Sequence, residues 1–180
     1  MSGELVWTDL ETTGLDPNTD LILEISMIVT DRDLYTLGGP YTYQIKPEQE
    51  FIIKDHYVRN MHTKSHLLDE ISLQGISLEE TIMNIFSDLE NSLPNDADYL
   101  KSIPLAGSSV HFDRAFLKVH MPELEKLFSH RNVDVSTIME LSRRWYQMTY
   151  DSGTRPAHRA EADILASIEA LRVYRNEIFK

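Results

Sequence analysis

The chain opens in strand-like stretches and continues in helix-like ones. Leu5-Val6-Trp7 is apolar and is followed by Asp9 and Glu11, which predicts a buried strand ending in acidic residues. Leu21 to Thr30, rich in Ile and Val, predicts a second strand. After the Gly38-Gly39-Pro40 break, Tyr41 to Ile45 alternates like a third. Ser77 and Glu80 form a capping-box pattern, and Leu78, Ile82, Ile85, Phe86, Leu89 and Leu93 then recur at helical spacing. Ile103 to Gly107 reads as a short strand and Asp113 to His120 as a helix. Pro122 precedes a second short helix, Glu123 to Phe128, and Val133 to Val135 is extended. A helix over Ser136–Tyr146 is expected to be capped by Ser136. Gln147 to Arg155 is polar and loop-like. The longest helix is expected from about Pro156 to Ile178, with Ile164, Ile168, Leu171 and Ile178 inward. This order predicts an α/β fold, a mixed central β-sheet flanked by α-helices.

The length of 180 residues suits a single domain over 1–180, and 42% apolar with 26% charged residues is ordinary for a globular chain. No apolar run approaches the ~18 residues of a membrane span, so no membrane partner is expected. The absence of cysteine excludes disulfides, thiolate zinc sites and a Cys nucleophile. Met1-Ser2-Gly3-Glu4 reads as neither a secretory signal nor an Arg-rich transit peptide. The expected location is cytoplasmic, or mitochondrial if a targeting segment has been removed. Seventeen basic against 29 acidic residues give a net charge of −12, which argues against a grip on long nucleic acid. A carboxylate cluster that binds cations carries the same sign of charge.

Three acidic elements deserve a chemical reading. Asp9 and Glu11, two apart on a strand, point to one face. Alone, the pair also fits a solvated strand end. Thr12-Thr13-Gly14-Leu15-Asp16 follows as a turn, which puts the pair at the carboxyl end of a strand, where α/β proteins place their sites. Asp113 follows a strand and the Gly107-Ser108-Ser109 turn; it also fits an acid stabilising a helix N-terminus. His158 and Asp163 are five apart, which separates them by ~140° on an ideal helix. His158 is therefore expected on the opening turn and Asp163 on the helix body, although a surface histidine and a solvated acid are the ordinary alternatives.

Together these residues resemble the DEDDh superfamily of 3′→5′ exonucleases: Asp9-x-Glu11, then Asp113, then His158-x4-Asp163. The chain further resembles the oligoribonucleases over nearly its whole length. The likeness is carried by Trp7 to Pro17, His62 to Ser65, Met121 to Glu125, Asp134 to Thr137 and Glu140 to Trp145. The resemblance implies an RNase H-like fold, a homodimer, and hydrolysis of short oligoribonucleotides, dinucleotides included, to nucleoside 5′-monophosphates. It implies that Asp9, Glu11, Asp113 and Asp163 hold two divalent cations, Mg²⁺ or Mn²⁺, and that His158 is the general base. Leu15 then matches a leucine wedged between bases, and Ser109 and Ser136 match serines near a 5′-phosphate. His62 lies in the segment that closes the pocket. His130 and Arg131 sit where a partner subunit reaches over the neighbouring site. The chain departs from the family pattern in having Tyr57 for Trp, His130 for Tyr, and Gly-Ser-Ser for Gly-Asn-Ser at 107–109.

The residues alone leave rivals open. A DNA-directed exonuclease of the same superfamily shares all five catalytic residues. A non-catalytic nucleic-acid-binding module would have no use for them. Without the resemblance, Leu15 fits ordinary packing and Tyr57 a half-buried surface aromatic. His62 and His66, four apart, fit one helix face, so spacing alone leaves zinc possible.

Overall fold

A computed structural model describes residues 3–150 and 158–179. Five strands among them form one sheet: β1 (Leu5–Thr12), β2 (Ile22–Thr30), β3 (Thr36–Gln44), β4 (Leu105–Gly107) and β5 (Asn132–Asp134). Their order is β3-β2-β1-β4-β5. The first three pair antiparallel, and β4 and β5 continue parallel to β1, so the sheet is mixed as expected. The helices are α1 (His56–Lys64), α2 (Leu67–Gln74), α3 (Leu78–Ser92), α4 (Ala97–Leu100), α5 (Val110–His120), α6 (Pro122–Glu125), α7 (Val135–Tyr146) and α8 (Ala160–Glu177).

Alternation along β1 divides the core in two. Val6 and Leu10 face Ile85 and Leu89 of α3 and Phe116 and Leu117 of α5. Trp7 faces the other way, packing with Ile28 and with Ile164, Ile168 and Tyr174 of α8. Its indole Nε1 donates to Thr30 Oγ1 at 2.9 Å, so no polar atom is stranded. Asp9 and Glu11 share the face of Trp7. The α8 side of β1 is thus apolar beneath the body of α8 and acidic where that helix begins.

Several elements depart from the sequence reading. The third strand begins at Thr36 and runs through Gly38-Gly39-Pro40. It is an edge strand, where a proline lacking its N–H is tolerated, and its register against β2 shifts there, with the extra residues bulging in β3 itself. Gly39 has φ +89°, and a Cβ there would lie 2.7 Å from the Met27 carbonyl oxygen. Helices α1, α2 and α4 carry too short an apolar stripe to have been expected. His62 and His66 do not share a helix face: His62 belongs to α1, whereas His66 precedes α2 with φ 60°. Helix α5 begins three residues before Asp113, and α6 covers Pro122–Glu125 rather than Glu123 to Phe128. The cap of α7 is Asp134, whose carboxylate accepts from the Ser136 amide at 3.0 Å; Ser136 lies inside the helix. Helix α8 begins at Ala160; Pro156, where it was expected to start, lies outside the described residues.

Candidate active site

Parallel pairing of β1 with β4 covers only Val6 and Trp7, because the chain leaves β4 for α5. Gly107 makes this departure possible, since a Cβ there would meet the Thr8 carbonyl oxygen at 2.8 Å. Beyond it, the Leu10 amide is satisfied by Asp113 Oδ1 at 2.9 Å. Asp113 is buried on the first turn of α5, so a helix delivers this carboxylate to the edge of β1.

Asp9, Glu11 and Asp163 each place a carboxylate oxygen within 4.8 Å of the others. Two come from β1 and one from the first turn of α8. The Asp113 oxygens are not in that triangle, although its charge acts on Asp9. Burial pushes the Asp9 carboxyl well above the carboxylate range, reinforced by Asp113, Glu11, Asp163 and Glu24. Burial likewise pushes Glu11 up to about 8, with Asp163 and Glu24 adding to it and Arg159 opposing. Asp113 is pushed up to about 7, again chiefly by burial. Carboxylates crowded this way repel each other when ionised. A divalent cation removes that repulsion, and an all-oxygen donor set fits Mg²⁺ or Mn²⁺ rather than zinc. Among the described residues no other group of three such ligands comes together, so the histidine-based zinc alternative has no support.

His62 is 0% exposed; its Nε2 lies 2.8 Å from the Thr12 carbonyl oxygen and its Nδ1 3.7 Å from Glu11 Oε2. A carbonyl only accepts, so Nε2 carries the proton and Nδ1 turns a lone pair toward Glu11. Burial holds the His62 pKa below its ordinary value, and nearby His158 acts in the same direction. His158 lies before α8 rather than on it, with φ 52°, and Arg159 is the N-cap. The ~140° mismatch of an ideal helix does not arise.

A cleft of about 550 Å³ runs from Glu11 past Gly14 and Leu15 to Tyr57, Met61 and Phe112. Leu15 is 79% and Tyr57 71% exposed, so neither is a packing residue within this chain. Ser109 and Ser136 meet at 3.3 Å between hydroxyl oxygens, and both are tied to Asp134, the Ser136 hydroxyl at 2.6 Å. His130 is exposed in a different cleft, with Lys118 and Lys126, and Arg131 is exposed beside it.

The sequence reading missed Met61 and Phe112 in the cleft, and the ion-pair cluster of Arg159 with Glu24 and Glu70. Glu24 had left a signal: an acid inside the apolar run of β2 needs a buried partner.

Comparison with known proteins gives a consistent result. A family described as Exonuclease, of the RNase T type, matches residues 6–171. An oligoribonuclease of Vibrio campbellii is 40% identical over 98% of this chain and 96% of its own length. One of Aliivibrio fischeri is 42% identical over 97% and 95%. The mitochondrial oligoribonuclease of mouse is 38% identical over 100% of this chain and 75% of its own. Among solved structures, exonuclease I of Methylocaldum szegediense superposes with a TM-score of 0.73 at 21% identity over 98% of this chain. Exonuclease I of E. coli in complex with a 5cy-dT13 oligonucleotide gives 0.71 at 16% over 99%. This chain spans about two fifths of those two, 41% and 42%, and they share its RNase H-like fold.

Proposed function

This chain belongs to the oligoribonucleases of the exonuclease family, and from that membership we propose that it degrades short oligoribonucleotides, dinucleotides especially, to nucleoside 5′-monophosphates. It is a 3′→5′ exoribonuclease. The observation that carries the finer reading is the meeting of Asp9, Glu11 and Asp163 oxygens within 4.8 Å, with Asp113 beside them. The family match over residues 6–171 supports one exonuclease domain across 1–180.

In this reading Asp9, Glu11, Asp113 and Asp163 hold two Mg²⁺ or Mn²⁺ ions. When bound, such ions activate a water and stabilise charge on the leaving oxygen. His158, on the turn that opens α8, takes the proton from the attacking water. His62, held by the Thr12 carbonyl, lies in the segment that closes the pocket. Leu15 and Tyr57 contact the bases, a sequence-tolerant interaction, and Ser109 and Ser136 meet the 5′-phosphate. In a homodimer, His130 and Arg131 of a second copy reach over the site. The lack of cysteine suits a reducing compartment, cytoplasmic or mitochondrial.

Product analysis on an end-labelled, 5′-phosphorylated ribodinucleotide tests this directly. Mononucleotide should form with Mg²⁺ or Mn²⁺ and not with a chelator. Ribodinucleotides should be cleaved much faster than longer RNA and than deoxyribodinucleotides. Equal rates per end on long RNA would defeat the short-substrate assignment.

A further inference from the structure

Segments distant in sequence meet at the guanidinium of Arg159. Its Nε donates to both oxygens of Glu24 on β2 at 3.2 Å, and its Nη2 donates to Glu24 Oε2 at 2.7 Å. On its outer edge, Nη1 donates to Glu70 Oε1 at 3.0 Å and Nη2 to Glu70 Oε2 at 2.5 Å, which ties in α2. Nη1 also reaches the Ser65 carbonyl, between α1 and α2, at 3.4 Å. Two carboxylates thus grip one planar fork, a geometry that Lys cannot reproduce.

Glu24 is 0% exposed and does more than pair with Arg159. Its Oε1 accepts from the Ala160 amide at 2.9 Å, and its Oε2 accepts from the Gln44 side chain at 2.9 Å. Helix α8 has no side-chain cap of its own. A strand residue supplies one, satisfying an amide that would otherwise be orphaned. The residue immediately before this anchored pair is His158, at φ 52°. A non-glycine residue keeps the left-handed region only when its neighbours over-determine it.

We propose that Arg159 is a positioning residue: by bridging Glu24 and Glu70 it fixes the left-handed turn at His158 and thereby aims the imidazole at the attacking water. The inference rests on His158 being the general base. It differs from a plain structural role, which would hold α8 in place with no special link to one side chain. It differs equally from a role in metal binding through Asp163, one turn further along α8.

The test is a double-mutant cycle on the holoenzyme with a 5′-phosphorylated ribodinucleotide. Arg159→Gln should lower kcat by ~10-fold or more, as a misplaced reacting group does. KM should stay within about twofold, and Mn²⁺ affinity, read by calorimetry without substrate, should not weaken, because a cation has been removed. In a His158→Ala background the same substitution should cost almost nothing. An undiminished loss in that background, or a fall in Mn²⁺ affinity that matches the fall in kcat, would overturn the inference and leave the base assignment standing. Wild-type turnover in His158→Ala alone would remove the base assignment and this inference with it. Should Arg159→Gln fail to fold, Glu70→Gln opens only the outer half of the fork and leaves Glu24 paired. Its smaller loss in kcat must also vanish in the His158→Ala background.

Discussion

The residues at the acidic site are arranged at the expense of the empty protein's stability. Glu11, raised to about 8, binds a proton in the folded state that it has already lost in the unfolded chain, where its value is 4.5. Between those values the folded state holds more protons, so stability falls as pH rises and levels off above about 8. Asp113, raised to about 7, adds to the same trend. Melting temperatures in chelator should therefore drop from pH 5 to pH 8, and Mg²⁺ should restore them most at the upper end. A flat profile would mean that the carboxylates are not crowded. By the same argument, Asp9→Asn should abolish turnover yet raise the melting temperature of the metal-free protein at pH 8. A lower melting temperature would make Asp9 structural. His158→Ala should keep Mn²⁺ binding and lower turnover by about 10²–10⁴. At the mouth of the cleft, Leu15→Ala should raise KM for a dinucleotide with little change in melting temperature, since Leu15 is 79% exposed.

Elements carry these residues by two different logics, and only one was readable in advance. Strand β1 was legible because alternation alone sends Asp9 and Glu11 to one face, and α3 because an apolar stripe follows a capping box, with the Glu80 amide donating to Ser77 Oγ at 3.1 Å. These are local rules. Elements fixed by remote partners were not legible. Strand β3 accommodates its Gly-Gly-Pro stretch because it lies at the sheet edge and bulges there against β2. Helix α8 begins where Glu24, 136 residues away, meets the Ala160 amide. The cap of α7 is likewise bound to a remote partner: the Ser109 amide donates to Asp134 Oδ1 at 2.9 Å and to Ser136 Oγ at 3.2 Å, and Asp134 rather than Ser136 caps the helix. Close backbone approach is equally invisible from sequence. Gly107→Ala would press a methyl against the Thr8 carbonyl oxygen at 2.8 Å, where backbone cannot yield. A loss of about 1–3 kcal/mol is expected in urea unfolding, together with lower turnover as α5 and Asp113 shift. Unchanged stability would show that β1 and β4 can separate freely.

For the molecule as a whole, charge and shape favour small substrates. A net charge of −12 leaves little attraction for a polyanion. A 5′-phosphorylated dinucleotide has two phosphates, so log KM against log salt should have a slope of no more than about 1.4. A much steeper slope would reveal an extended phosphate-binding track. Light scattering should give twice the chain mass, and a fully active monomer would remove His130 and Arg131 from the proposed site. The outer strand β3 bears on behaviour at high concentration. An exposed, regular strand invites another chain to zip alongside it, a route to fibres and precipitates. Pro40 cannot offer an N–H to a newcomer, and Gly39 bends the backbone before it. Polymerisation along that margin is therefore interrupted at its middle, and on that side the sheet does not grow past β3.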